Sequence, residues 1–134
     1  MFKAGTTTPR IGEIRLGFVE KYDDNKVHKY VGVHPYLIVS NNLYNKNAGQ
    51  AEVIPFTTKR MGKKNPVHVD YSVGEVNGLL KDSTLVIEGR DTLLNSQLSD
   101  PIGEFTEENW KRAARAMVIQ CPYLRSAFQE ERIA

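Results

Sequence analysis

The chain is poor in the features that mark several large protein classes. Cysteine occurs once, at Cys121, so no intrachain disulfide can form and a disulfide scaffold is excluded. Apolar residues never run on for the ~20 positions that a bilayer-spanning helix needs, and residues 1–10 lack the apolar centre of a secretion signal. A cytoplasmic protein is the expectation. There is no glycine-rich phosphate loop and no Gly-x-Ser-x-Gly elbow. No cysteine and histidine spacing suits zinc, and His28, His34 and His68 follow no metal-ligand pattern. Neither a metal nor a cofactor is expected. Charge of neither sign is in large excess. The formal net charge is +2 and the pI is near 8.7, too mild a bias to imply a nucleic-acid partner by itself.

What is present describes an ordinary globule. The 134 residues suggest one domain, 1–134, with roughly two-thirds of the unfolded surface removed from water. Residues 1–10 read as a loose arm ending at Pro9. Residues 11–20 alternate Ile14, Leu16 and Phe18 with Glu13, Arg15 and Gly17, the period-two signature of a strand. Asp23-Asp24-Asn25 signals a turn, and residues 27–33 read as a ragged hairpin arm. A buried strand is expected at 36–40, a loop at 41–50 with its asparagines and Gly49, and a strand at 51–57. Residues 58–65 read as a basic loop, 67–71 as a strand after Pro66, and 74–81 as a turn region. A strand at 83–88, a short helical turn at 91–98 burying Leu93, Leu94 and Leu98, and a strand at 101–105 complete the β region.

The last element is a helix. Thr106 suits the N-cap, and Glu107 and Glu108 suit the positive end of the helix dipole. Trp110, Ala113, Ala114, Met117, Val118 and Cys121 form one apolar stripe, read as core packing with Cys121 a buried small hydrophobe. Pro122 ends the helix, and residues 123–134 form a mixed tail. About five to seven short strands followed by one helix predict a small, strongly curved antiparallel barrel with the helix across an opening.

Two segments carry the chemistry. His34-Pro35-Tyr36-Leu37-Ile38-Val39-Ser40-Asn41-Asn42 and Val53-Ile54-Pro55-Phe56-Thr57-Thr58-Lys59-Arg60 each join an apolar run to polar residues, a pattern that delivers side chains to the rim of a sheet. His34 can exchange a proton near neutral pH, although a lone histidine also serves structure. Lys59, Arg60, Lys63 and Lys64 fall within one short loop beside Thr57-Thr58, which suits phosphate contacts and equally suits a solvated loop. Tyr30, Tyr36 and Tyr44 are able either to stack unpaired bases or to fill the core. Arg90 and Asp91 follow the 83–88 strand and read as surface ion-pair partners.

In order, these segments resemble the MazF/PemK/Kid family of type II toxin endoribonucleases. Gly12-Glu13-Ile14-Arg15-Leu16-Gly17-Phe18 is similar to the family's opening strand, and Gly32-Val33-His34-Pro35 with Leu37-Ile38-Val39-Ser40-Asn41 to its Arg-Pro-apolar-Ser-Asn segment. Ile54-Pro55-Phe56-Thr57-Thr58-Lys59 is similar to its Pro-x-Thr-Ser/Thr segment, and Ile102-Gly103 with the Thr106 helix to its close. The resemblance covers roughly residues 11–121. It implies an SH3-like barrel that forms a homodimer, cleaves single-stranded RNA without metal to a 2′,3′-cyclic phosphate, and is blocked by an acidic, partly disordered antitoxin segment.

The resemblance also assigns roles. His34 stands where the family usually has an arginine that transfers protons and holds phosphate charge. Histidine can do the first but grips phosphate less firmly than a guanidinium. Thr57 matches the family's active-site threonine. Thr58, Lys59, Arg60, Lys63, Lys64, Lys29 and Arg90 are the expected RNA contacts, with Arg90 able to stand in for the missing guanidinium. Lys29 and Tyr30 replace a usual Glu-Gln pair, and Glu88-Gly89 a usual Asp-Gln. These departures keep other readings open: a non-enzymatic RNA- or protein-binding module on the same barrel, or a gyrase inhibitor like CcdB.

Overall fold

A computed structural model describes residues 2–20 and 30–127. The elements in chain order are β1 (Glu13–Val19), β2 (Gly32–Ile38), α1 (Asn42–Ala48), β3 (Gln50–Thr57), β4 (His68–Tyr71), β5 (Ser83–Val86), β6 (Asp91–Leu94), β7 (Leu98–Glu104) and α2 (Glu107–Gln120). The seven strands form one antiparallel sheet ordered β4-β5-β3-β2-β1-β7, with β6 also on β3. The strongly curved antiparallel sheet and its C-terminal helix are those expected. No described helix is long and apolar enough to cross a membrane.

Period-two alternation splits the apolar residues between two cores. Ile14, Leu37, Ile54, Phe56, Tyr71 and Leu85 face one side with Phe105, where Ala113 and Ala116 of α2 close over them. Tyr36, Ile38, Ala51, Val53, Leu93 and Leu98 form the second cluster on the other side. Neighbours along β3 therefore serve different cores, which is why residues 53–57 are all buried. Each large apolar side chain so buried stabilises the fold by roughly 1.5–3 kcal/mol. Gly17 has a specific reason. A Cβ there would lie 2.5 Å from the Tyr36 ring, so only glycine lets that ring pack.

Several sequence expectations are corrected. The stretch 41–50 contains α1 rather than a loop. Asn41 caps it, accepting the Tyr44 amide at 2.8 Å, and Gly49 ends it at φ 68°. Asn45 is buried and joined to Ser40 through both side-chain atoms, so these asparagines act as cap and core partner. Residues 91–94 are β6, paired with Gln50–Val53, because Leu93 is buried and Leu94 exposed, a strand alternation. β7 accordingly starts at Leu98. Residues 87–89 leave the 83–88 strand as a 3-10 turn.

The helix stripe is shifted. Thr106 does cap α2, in a reciprocal box with Asn109. The buried face is Asn109, Ala113 and Ala116, flanked by Trp110 and Met117, while Ala114 and Cys121 are exposed. Asn109 is buried because its second amide hydrogen bond reaches the Glu75 carbonyl at 3.0 Å.

The N-terminal arm is strapped down, not loose. The Arg15 side chain is 1% exposed. Its Nη1 donates to the carbonyls of Thr7 (2.9 Å) and Ser99 (3.0 Å), its Nη2 to the Thr7 hydroxyl, the Thr8 carbonyl and Glu13, and its Nε to Glu13. Asp100 accepts the Thr6 amide at 2.7 Å and the Thr7 amide at 3.2 Å. The Thr6 amide, above all, holds the Asp100 carboxyl below its ordinary pKa. The Gly5 amide donates to the Leu98 carbonyl, so the arm runs along β7.

Candidate functional site

Strand register places Thr57 between β2 and β5. β2 and β3 pair Ile38 with Val53, Leu37 with Ile54 and Tyr36 with Pro55. The β2–β3 pairing ends there, with His34 two residues beyond it on β2 and Thr57 two residues beyond it on β3. On the other side of β3, Thr57 pairs with Thr84 of β5, and Thr84 with Asp70 of β4. Directly paired residues share a face of a sheet. Asp70, Thr84 and Thr57 therefore make one polar row across three strands, on the face opposite the α2 core. On β1 the residue paired with His34 is Gly17.

His34 lies within β2 rather than before it. Its Nε2 is 2.8 Å from the Val31 carbonyl oxygen. A carbonyl only accepts, so this nitrogen carries a hydrogen, and in the neutral ring Nδ1 then holds the lone pair. The ring meets Tyr30 edge-on, centroids 5.6 Å apart. Tyr30 in turn packs on Gly89, where a Cβ would stand 3.3 Å from the tyrosine ring and 2.9 Å from Pro55. The two positions where the resemblance expects polar side chains are thus occupied by an aromatic ring and the space that admits it. This packing steadies His34 from the side of β3.

Thr57 ends β3 and is 8% exposed. Its Oγ1 accepts the Lys59 amide at 3.3 Å, which leaves the hydroxyl hydrogen available to an incoming anion. Thr58, Lys59, Arg60, Lys63 and Lys64 are all exposed beyond it. Arg90 lies apart from that loop in the chain and is ion-paired to Glu52 at 3.0 Å. Lys29 lies outside the described residues.

Some of the site was missed in the sequence. Asp70 and Thr84 extend the row, and their signal was the i, i+2 alternation of β4 and β5. That alternation acquires meaning only once β3 is known to pair with β5. His68 Nε2 meets Glu88 Oε1 at 2.5 Å, with the His68 side chain 4% exposed, too deep to touch a large substrate. Tyr36 is raised well above the ordinary tyrosine pKa, mainly by burial and next by the charge of Asp91, so it stays a neutral core residue. Only 1% exposed and part of the second core cluster, it serves packing rather than base stacking.

The comparisons with known proteins agree with this architecture. Residues 12–120 match the family described as PemK-like, MazF-like toxin of type II toxin-antitoxin system. No curated protein matches the chain. Among solved structures, an endoribonuclease in complex with its cognate antitoxin from Mycobacterial species superimposes with a TM-score of 0.65 at 23% identity, over 83% of this chain and 92% of that one. Mycobacterium tuberculosis toxin MazF-mt6 gives 0.62 at 20% identity, over 79% and 92%. MazF (Form-I) from Deinococcus radiodurans gives 0.66 at 15% identity, over 86% and 97%. At these identities the structural likeness speaks for the fold, and the family match spans the polar row and the basic loop together: this chain belongs to the PemK-like, MazF-like toxins of type II toxin-antitoxin systems.

Proposed function

We propose that the protein is an endoribonuclease that cleaves single-stranded RNA, with mRNA as its target in the cytoplasm, and leaves a 2′,3′-cyclic phosphate without a metal or cofactor. The observation that carries this reading is the match of residues 12–120 to the toxin family, supported by Thr57 at the end of β3 beside the exposed basic loop, with His34 on the adjacent strand β2. His34 Nδ1 takes the proton of a ribose 2′-hydroxyl, while its Nε2–H stays on the Val31 carbonyl and fixes the ring. The 2′-oxygen bonds to phosphorus, and the 5′-oxygen leaves and takes up a proton. The Thr57 hydroxyl donates to a phosphate oxygen as charge builds there. Thr58, Lys59, Arg60, Lys63 and Lys64 hold the flanking phosphates, a largely sequence-independent and salt-sensitive grip. Lys29 and Arg90 belong to the same contact set, Arg90 after release from Glu52.

A homodimer and an antitoxin complete the proposal. Leu80 (90% exposed) and Ile102 (37%) line an apolar cleft of about 230 Å³ with Leu16, Pro35 and Leu79. A second copy would cover that surface. The antitoxin segment is acidic and orders itself on the cationic loop.

The test is incubation of purified protein with long unstructured RNA in EDTA. Fragments ending in a cyclic phosphate are expected. Intact RNA, or cleavage that persists in a His34→Ala, Thr57→Ala double variant, would count against the mechanism. Salt-sensitive RNA binding without new ends would favour a binding module, and inhibited DNA supercoiling a gyrase inhibitor.

A further inference from the structure

The middle of the basic loop between β3 and β4 is tied to the polar row. Asp70 Oδ1 accepts the Thr84 hydroxyl at 2.6 Å, and Asp70 Oδ2 accepts the Gly62 amide at 3.0 Å. Thr84 is fully buried and is the β-ladder partner of Thr57. The Asp70 carbonyl accepts Arg112 Nη1 of α2 at 2.7 Å, and the same guanidinium lies over the Tyr71 ring, 4.6 Å from its centroid. Asp70 is thus fixed by the sheet and the helix, and its carboxylate ties down the middle of a loop that carries Lys59, Arg60, Lys63 and Lys64.

Gly62 is built for that tie. Its φ is +79°, a left-handed backbone that glycine adopts without strain. The turn is closed by the Lys63 amide on the Arg60 carbonyl, so the anchored amide lies inside a tight reversal with cations on both sides. A free loop carrying this much like charge would spread apart, and ordering it would cost binding energy each time a polyanion arrived.

We propose that Asp70, braced by Thr84, is a positioning residue that pre-sets the basic loop for an RNA backbone running across Thr57. This inference rests on the ribonuclease reading above. A carboxylate among cations weakens a polyanion's attraction by charge alone, so its net benefit must come from holding the loop. Charge and position therefore predict opposite signs, and the two are separable.

The experiment compares Asp70→Ala, Asp70→Asn and Thr84→Val. Three readouts are taken: amide exchange across residues 59–64, binding of a 2′-O-methyl RNA oligonucleotide, and KM and kcat on a cleavable RNA. The proposal expects faster exchange at Gly62 in Asp70→Ala, roughly tenfold weaker binding in Asp70→Ala despite the lost negative charge, and a raised KM at little-changed kcat. Thr84→Val changes no charge and should weaken binding in the same direction by a smaller factor. Asp70→Asn keeps one acceptor for the Gly62 amide and should recover part of the loss. Tighter or unchanged binding in both Asp70→Ala and Thr84→Val overturns the proposal, as does unaltered exchange at Gly62. Should Asp70→Ala fail to fold, Thr84→Val and Asp70→Asn decide by the same readouts. If wild-type protein neither binds nor cuts RNA, the ribonuclease reading fails and this proposal with it, whereas the exchange data still show separately whether the tie exists.

Discussion

Replacing Arg15 with methionine should destabilise the protein more than any substitution at its exposed cations. The new side chain is similar in length and apolar, so little volume is lost. The guanidinium's hydrogen bonds disappear together, leaving the carbonyls of Thr7, Thr8 and Ser99 without that donor and removing the cation from Glu13, which keeps the Arg10 amide. Removing one partner of a buried ionic network costs about 3–5 kcal/mol. The cost has a ceiling, because the arm can lift and return its carbonyls to water. For a chain of this size each kcal/mol moves Tm by about 3–6 °C, so a fall of roughly 10–25 °C is expected. Urea unfolding gives the free-energy change, and amide exchange at Gly5, Thr6 and Thr7 tells whether the arm has lifted. Arg15→Lys should recover little, since one ammonium cannot reproduce the guanidinium fork. A loss below about 1 kcal/mol with those arm amides still protected would refute the claim that this buried cation anchors the arm.

Other outcomes follow from the same geometry. His34→Ala should lower kcat by about 10²- to 10⁴-fold, and Thr57→Val by about 10²- to 10³-fold, while circular dichroism and Tm stay close to wild type; RNA cleavage assays beside melting curves check both. Gly17→Ala should destabilise by about 1–3 kcal/mol, because the added methyl meets the Tyr36 ring at 2.5 Å, and denaturant titration measures it. Asp100 has a folded pKa below its unfolded value of about 3.9. Its contribution to holding the arm is therefore fully present above that unfolded value and is lost as pH falls through the folded one. Exchange of the Thr6 and Thr7 amides, corrected for intrinsic rates, should rise across that acid window and should rise at neutral pH in Asp100→Asn.

Much of this architecture was legible in the sequence because alternation and caps are local signals. β1, β3, β4 and α2 lie close to where the apolar spacing and Thr106 put them. Asn41 to Gly49 misled because cap, buried amide and left-handed terminator are residue types shared with loops. The arm misled because its anchors, Arg15 and Asp100, are distant in sequence and one of them is a buried cation, which apolar patterning treats as outward-facing. At the site, Thr57 and the basic loop are readable from one segment. The partnership of Thr57 with Thr84 and Asp70 depends on non-local pairing of β3, β5 and β4, and no short motif records it. The packing of Tyr30 on Gly89 is similar, a compensation between positions that only the folded chain brings together.

The most direct test of the central claim asks whether His34 and Thr57 serve one phosphate. Nuclear magnetic resonance titration with a 2′-O-methyl RNA oligonucleotide, which cannot be cleaved, follows the His34 imidazole and the Thr57 amide and methyl signals in the same sample. The account predicts that both sets shift along one binding curve, and that Thr57→Val weakens the response at His34. Saturable RNA binding that leaves either residue's signals unmoved would contradict it.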